Sequence, residues 1–267
     1  MTPVKLLFTS AILLAATGCG GTDSASAGAS STGLSVVLAA STAEVQFNDG
    51  ASGQTAAHVT AGIGSLTLLT SDGNEWTIFD ANSHDTTVAY DNGSSTVLTQ
   101  LDAADIVPGH YVKARLVQDW ARFDIQATLH DGSSVTPGTL HTLEVTSDGT
   151  LLDGTQRDAG HYEQDFTGAA TPQHFNGDNA IVPEYSTTEG AEARVEQGKW
   201  SVYFPVDVQI GPAAATLRIV VNMDHAFRWT DIPGGDNQAG VYDIAPPFYE
   251  PVKQFGGNRF DVSVKNH

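Results

Sequence analysis

The sequence predicts an all-β fold, an antiparallel β-sandwich, on the strength of two observations. Apolar and polar residues alternate with a period of two in many segments, whereas a helical period is hardly seen. Asp-Gly and Asn-Gly dipeptides separate these segments, and their glycines can adopt the positive φ values of tight hairpins. Half-buried strands with frequent turns are typical of two antiparallel sheets packed face to face. The dipeptides begin at Asp49, Asp72, Asn92, Asp131, Asp148, Asp153 and Asn176.

The first element along the chain is an N-terminal export signal. Lys5 precedes an apolar run over residues 6–16, which is shorter than the about 20 apolar residues that span a bilayer. Such a run is typical of a secretory signal peptide. The segment Ala16-Thr17-Gly18-Cys19 follows, and it contains the only cysteine of the chain. This segment resembles the lipobox of bacterial lipoproteins, although the position three residues before the cysteine is Ala16 instead of the usual branched aliphatic residue.

The resemblance implies a signal peptide over residues 1–18 and a mature protein that begins at a lipidated Cys19. It also implies a lipid-anchored protein of the cell envelope. Because no Asp follows Cys19, similarity to the lipoproteins of enteric bacteria favours the outer membrane. Residues 20–33 are small and polar without a hydrophobic period, so residues 19–33 are predicted to form a flexible tether.

The remaining residues, 34–267, are predicted to form the all-β body. The clearest strand is 121–130, where Ala121, Phe123, Ile125, Ala127 and Leu129 share one face. The segment 147–197 has weaker strand patterns and many Gly, Asp, Glu and Thr residues. It therefore consists of long loops within one continuous body, which we favour, or it joins two sandwiches over 34–146 and 147–267.

Charge excludes one class of partner. Acidic residues outnumber basic residues 31 to 12, and the formal net charge is −19. Such a chain repels phosphate backbones, so nucleic acid is not expected as a partner. The membrane contact is expected to come from the N-terminal lipid, because an acidic surface does not adsorb to anionic lipid.

One region resembles a known type of module. In the stretch 101–129, the residues Val107-Pro108-Gly109-His110-Tyr111 precede a strand, and Asp131-Gly132 follows it. This pattern resembles the transthyretin-like and immunoglobulin-like domains of bacterial surface proteins. It is also similar to a family of uncharacterised bacterial lipoproteins with a β-sandwich. The resemblance covers roughly residues 34–146 and implies a fold and a location, and the family has no established activity to carry over.

Catalytic signatures were sought and not found. The sequence has no Gly-x-Ser-x-Gly, His-Glu-x-x-His or Gly-x-x-x-x-Gly-Lys motif, so we predict a protein that is not an enzyme. Its nine histidines never occur at the two-to-five-residue spacing that is common in zinc and copper sites. Calcium fits better, because Asp148, Asp153 and Asp158 recur in one Gly-rich loop and Ca²⁺ prefers oxygen ligands. We favour the interpretation that these aspartates are ordinary turn residues with no cofactor bound, and a calcium site is the alternative.

The most distinctive segment is 225–255, where aromatic residues occur among prolines and acidic residues. Exposed rings there would stack on the apolar faces of a sugar or peptide, with carboxylates bonded to its hydroxyl groups. The interpretation that we favour is that the rings fill the open end of the sandwich. The candidate ligand-binding residues are Trp229, Tyr242, Phe248 and Tyr249.

Together these features predict a non-enzymatic, lipid-anchored envelope protein that binds a glycan or protein ligand at its surface. One alternative is a hydrolase that cleaves envelope polysaccharide with a pair of acidic residues. The other is a purely structural envelope module. A groove lined by aromatic rings and carboxylates would favour binding or hydrolysis, whereas a sealed convex surface would favour the structural role.

Overall fold

The computed structural model describes residues 33–81, 86–132, 134–168 and 171–267. Cys19 and the predicted signal peptide lie outside these residues. The described part is all-β, with curled antiparallel sheets in a sandwich-like arrangement, and this confirms the predicted fold class. One short 3-10 turn, Ala103–Asp105, interrupts the strands. Within the described residues, no helix has the length and hydrophobicity needed to cross a bilayer.

The strands follow in chain order. They are β1 (Leu34–Ser41), β2 (Ser52–Gln54), β3 (Ala57–Leu69), β4 (Glu75–Asp80), β5 (Thr86–Ala89), β6 (Ser95–Leu101), β7 (Gly109–Asp131), β8 (Ser134–Val145), β9 (Thr150–Leu152), β10 (Thr155–Arg157), β11 (Tyr162–Thr167), β12 (Gln173–Gly177), β13 (Tyr185–Ser186), β14 (Glu192–Glu196), β15 (Lys199–Ile210), β16 (Ala215–Asn222), β17 (Phe227–Trp229), β18 (Tyr242–Ala245), β19 (Phe248–Tyr249), β20 (Val252–Phe255) and β21 (Arg259–Asn266).

A four-stranded sheet has the order β21-β16-β1-β6, and a larger curled sheet is built around β7. In the four-stranded sheet, β1 runs parallel to β16 and antiparallel to β6. A second parallel pair joins β18 to β7. These two pairs depart from the purely antiparallel expectation. Each joins segments that are far apart in the sequence, so no tight hairpin dictates their relative direction.

Strand β7 is the longest, with 23 residues, and it organises the larger sheet. Strand β3 pairs with it from Lys113 to Asp124. The opposite edge is shared, because β15 pairs up to Gln118 and β8 pairs from Trp120 onwards. At this changeover, Thr146 and Ser147 donate side-chain hydrogen bonds to the Gln118 carbonyl oxygen. These bonds satisfy the Gln118 carbonyl oxygen at the point where β15 ends and β8 begins along this edge, and Ser147 Oγ accepts a hydrogen bond from the Trp200 amide at 3.0 Å.

The predicted alternation of β7 is confirmed. Ala121, Phe123, Ile125, Ala127 and Leu129 are all buried and face the core. Their intervening neighbours are more exposed, with Thr128 as an exception. The ring of Phe123 stacks on Phe255 at a centroid distance of 4.0 Å. One face of β7 therefore lies against the core and the other lies at the molecular surface.

Six of the seven predicted turn glycines have positive φ angles, and Gly177 is the exception. It lies at the end of β12, paired with Tyr162 of β11. A Cβ atom on Gly177 would lie 2.8 Å from the Tyr162 ring. This glycine therefore provides space for a neighbouring ring and is not a hairpin residue.

Candidate functional site

The aromatic residues predicted to bind ligand have different environments. Trp229 and Tyr242 are only 1 % and 4 % exposed, and their rings meet edge to face at 5.5 Å. Both also contact the core residue Phe227. Both rings are therefore packed within the protein and do not lie open at its outer surface, as the favoured interpretation expects. Phe248 is 77 % exposed, and Tyr249 is half-buried.

The carboxylates of the same segment hold its loops in place. Glu250 accepts hydrogen bonds from the backbone amides of Ile232 at 2.6 Å and Asp243 at 2.9 Å. Asp243 in turn accepts one from the Gln238 amide at 3.0 Å and lies 2.7 Å from His130 Nε2. With both oxygens engaged, these buried side chains order the loop and are not free to bind a ligand's hydroxyl groups.

The three aspartates predicted to bind calcium act as turn residues. Asp148 Oδ1 accepts a hydrogen bond from the Ala159 amide at 3.0 Å, and Asp158 Oδ1 accepts a longer one from Gly149 at 3.4 Å. Asp153 lies in the turn between β9 and β10 with a positive φ of 48°. Among the described residues, no three His, Cys, Asp or Glu side chains are grouped to hold a metal ion. The contacts of these three aspartates are those of turn residues, and the calcium alternative gains no support from the described residues.

A different site lies on the core-facing side of β8 and β11. Glu144 of β8 is directly opposite Tyr162 of β11, and Thr142 is opposite Gln164. Alternation along β8 places Thr142 and Glu144 on the same face as the buried Leu140. We call the six residues of this site the inner cluster: Thr142, Glu144, Tyr162, Gln164, Tyr242 and Tyr249.

Tyr242 and Tyr249 complete the inner cluster from the hairpin of β18 and β19. Burial raises the pKa of the Tyr242 hydroxyl, and the nearby carboxylate of Glu144 raises it further. Burial likewise raises the pKa of Tyr249, and the Tyr162 hydroxyl adds to this effect. These interactions place the hairpin tyrosines beside β8 and β11, although more than 70 residues separate the segments in the sequence.

Two polar atoms of the inner cluster are buried without a hydrogen-bond partner, Thr142 Oγ1 and Gln164 Oε1. The Tyr249 hydroxyl lies beside the Tyr162 hydroxyl, which raises its pKa. Thr142 is only 6 % exposed. An unsatisfied buried polar group costs about 1–3 kcal/mol, and most buried polar atoms in proteins have a partner. Two such atoms on directly opposite residues of β8 and β11 leave this part of the core with unused hydrogen-bonding capacity.

Glu144 is the acidic residue of the inner cluster. Burial raises the pKa of its carboxyl group to about 7. Its carboxylate has no hydrogen bond or ion pair to another described residue. Desolvation disfavours the charged form of a carboxyl group, whereas a cation bound beside it favours the charged form. The inner cluster therefore combines a carboxyl group that has no ion-pair partner with buried oxygen atoms that have no hydrogen-bond partner.

The opposite, outward-facing side of the same strands carries a row of alternating histidine and aspartate. His58, Asp124, His141, Asp165 and His174 lie on β3, β7, β8, β11 and β12 in that order. Asp124 binds two of the histidines, with its oxygens 2.7 Å from the Nδ1 atoms of both. The third histidine lies 2.8 Å from Asp165. We call these five residues the outer row.

Pairing with a carboxylate is general among the histidines. Each described histidine except His267 has a ring nitrogen within 3.0 Å of an Asp oxygen. His141 also lies 3.1 Å from the Thr167 hydroxyl, which gives the Asp–His–hydroxyl order found in nucleophilic catalysts. However, Thr167 also donates to the Thr139 carbonyl at 3.4 Å on an open face of the sheet. We therefore interpret the outer row as a satisfied surface network.

Comparisons with protein-family models, curated proteins and solved structures found no match for this chain.

Proposed function

We propose that the protein is a lipid-anchored component of the bacterial cell envelope that binds a small ligand, part of a glycan or a protein, without catalysing its conversion. The anchor is the lipid on Cys19, and the membrane is the outer membrane. Support for the anchor comes from the apolar run that ends in Ala16-Thr17-Gly18-Cys19. The first strand begins at Leu34, immediately after the predicted tether of residues 19–33.

The observation that carries the binding function is the presence of two unpartnered polar atoms, Thr142 Oγ1 and Gln164 Oε1, beside Glu144. Two of the predicted ligand-binding residues, Tyr242 and Tyr249, belong to this inner cluster. Ligand sites combine apolar and aromatic walls with a few polar groups that fix orientation. Glu144, Tyr162 and Gln164 are intermediate in exposure, so the cluster lies at the margin of the core.

One observation favours hydrolysis as the second candidate function. A carboxyl group with a raised pKa, such as Glu144 at about 7, is suited to protonate a glycosidic oxygen. Such a mechanism also needs a second carboxylate. Glu250 is the nearest candidate, because its charge also raises the pKa of Tyr242. However, both of its carboxylate oxygens accept hydrogen bonds from backbone amides. This engagement makes it a poor nucleophile or base, and we therefore place binding first.

The anchor is tested by growing cells with labelled palmitate. The wild-type protein should carry label and sediment with membranes, whereas Cys19→Ser should be unlabelled and lose its membrane association. Ser24→Ala, a change of similar size within the tether, should behave like the wild type. Unlabelled wild-type protein in the soluble fraction would refute the lipid anchor.

Binding and hydrolysis are separated by incubating the full chain with soluble fragments of envelope polysaccharide. A binding protein retains fragments without shortening them, and Thr142→Val should weaken this retention while the fold is kept. A hydrolase would release new reducing ends, and Glu144→Gln would abolish the release. New reducing ends that depend on Glu144 would replace the binding proposal with the hydrolase.

A further inference from the structure

We propose that the inner cluster binds the ammonium group of a small organic amine. This inference rests on the proposed ligand-binding function and names the chemical class of the ligand. It follows from three features of the site: its hydrogen-bond acceptors, its charge and its aromatic side chains.

The acceptors match a primary ammonium group, which has three N–H donors. Thr142 Oγ1 and Gln164 Oε1 are unpartnered and lie on directly opposite residues of β8 and β11. The Glu144 carboxylate follows on the same face, two residues beyond Thr142. These three groups supply the oxygen acceptors for the three N–H donors.

Charge excludes the alternative of an anionic ligand. The titratable groups that face Glu144 are Tyr162 across the strand pair and Tyr242 and Tyr249 from the hairpin. Beyond Tyr242 lies Glu250, which is also acidic. No lysine or arginine belongs to this group, and the chain has a net charge of −19. A carboxylate or phosphate would be repelled here, whereas an ammonium ion would be attracted and would keep Glu144 ionised.

The aromatic side chains favour an organic cation over a simple metal ion. Three of the six residues of the inner cluster are tyrosines, and electron-rich rings stabilise cations at close range. Phe175 of β12 is paired with Gln164 and packs against the core beside them. Glu144 is the one carboxylate in the cluster, and Ca²⁺ sites use six to eight oxygen ligands. An amine with a carbon skeleton would use both the oxygens and the rings.

The experiment measures binding of two amines to the full chain in detergent by isothermal titration calorimetry. Putrescine represents a polyamine, and glucosamine represents an amino sugar. Their uncharged analogues are 1,4-butanediol and N-acetylglucosamine. We expect at least one amine to bind at pH 8, its analogue to bind at least tenfold more weakly, and the affinity to fall at pH 5.5, where Glu144 takes up a proton. The amine that binds identifies the source of the ammonium group.

Variants locate the site. Glu144→Gln should weaken amine binding by at least tenfold, and Thr142→Val should weaken it by a smaller factor. Glu163→Gln removes the same charge from the outward-facing side of β11, and it should leave the affinity within about twofold. Thermal melts of each variant report whether the fold is kept. Glu144→Gln is expected to stay folded, because it removes a buried acid whose charged form is disfavoured.

Two results would overturn the inference, and only the second would also refute the ligand-binding function proposed for this site. If the uncharged analogues bind as well as the amines and Thr142→Val weakens both, the inner cluster is a ligand site but not one for ammonium. If no amine or analogue binds at millimolar concentration, the unpartnered atoms hold ordered water only. In that case the ligand-binding function proposed for this site fails together with its ligand class.

Discussion

Strands β8 and β11 carry polar residues on both faces, and the two faces differ in how those residues are satisfied. On the outward-facing side, His141 and Asp124 are bonded to each other and His174 to Asp165, at 2.7 and 2.8 Å. On the core-facing side, Thr142 and Gln164 face one another with unpartnered oxygens. The exposed polar side chains are thus paired, and the buried ones are not.

This difference is the reverse of what stability alone would produce. An exposed side chain can bond to water, so leaving it without a protein partner costs little. A buried one has no such substitute and is usually paired within the protein. Unpaired polar groups on the buried face therefore indicate a function that uses them. The polar groups of the outer row are already hydrogen-bonded to one another and need no ligand.

The largest expected effect tests whether the two faces of β7 are assigned correctly. Phe123→Ala should lower the free energy of unfolding by about 3–5 kcal/mol, because its ring stacks on Phe255 in the core. Gln126→Ala, on the outward-facing side of the same strand, should change it by no more than about 0.5 kcal/mol. Chemical denaturation measures both. Similar losses from the two variants would show that the strand does not separate a core from a surface.

The next effect tests the burial of Glu144. Its carboxyl group has a pKa of about 7 in the folded protein, against 4.5 as the ordinary value. The folded chain therefore keeps a proton that the unfolded chain loses, so wild-type stability falls as pH rises from 4.5 towards 7. Glu144→Gln removes this loss. The variant should match the wild type near pH 4 and exceed it by up to about 3 kcal/mol at pH 8.

Denaturation curves at several pH values measure this difference. Glu163→Gln is the matched control, because it removes the same charge on the opposite face of the adjoining strand. A constant difference between Glu144→Gln and the wild type from pH 4 to pH 8 would mean that Glu144 titrates as an exposed residue. The contrast between the inner cluster and the outer row would then lose its main electrostatic support.

Local patterns predicted much of the fold. The alternation in 121–129 gave the correct buried face of β7, and six Asx-Gly pairs are turns with positive φ. These features depend on neighbours within a few residues. Trp229 continues the apolar alternation of Phe227, which indicates burial, whereas Phe248 and Tyr249 lie between prolines in a segment with no period to orient their rings. Trp229 is 1 % exposed and Phe248 is 77 % exposed.

Neither polar site could be predicted, because each depends on pairing between distant strands. His58 and Asp124 are 66 residues apart, and they meet because β3 pairs with β7. A search for histidines at short spacings cannot find such a row. Glu144 follows Leu140 and Thr142 with the period of a strand face, and an acid at a core-facing position was the available signal. Its meaning required the tyrosines of the β18–β19 hairpin.

The smallest expected effect concerns the outer row. The hydrogen bond that the His58 ring donates to the Asp124 carboxylate raises the pKa of His58, and the negative charge of Asp124 raises it further. Asp124→Asn should therefore lower the pKa of His58 towards its ordinary value of 6.5, as measured by NMR titration of its ring protons. Asp165→Asn, at the other end of the row, should leave the His58 titration unchanged.

A raised pKa stabilises the fold below the ordinary pKa, and this contribution is lost as pH rises through the folded value. The loss of stability that Asp124→Asn causes through the His58 charge should thus be larger at pH 5.5 than at pH 8. This is opposite to the effect of Glu144, which destabilises the fold more at pH 8 than at low pH. Equal His58 titrations in the wild type and Asp124→Asn would show that the outer row is not a bonded network, and the two faces would no longer differ in how their polar groups are satisfied.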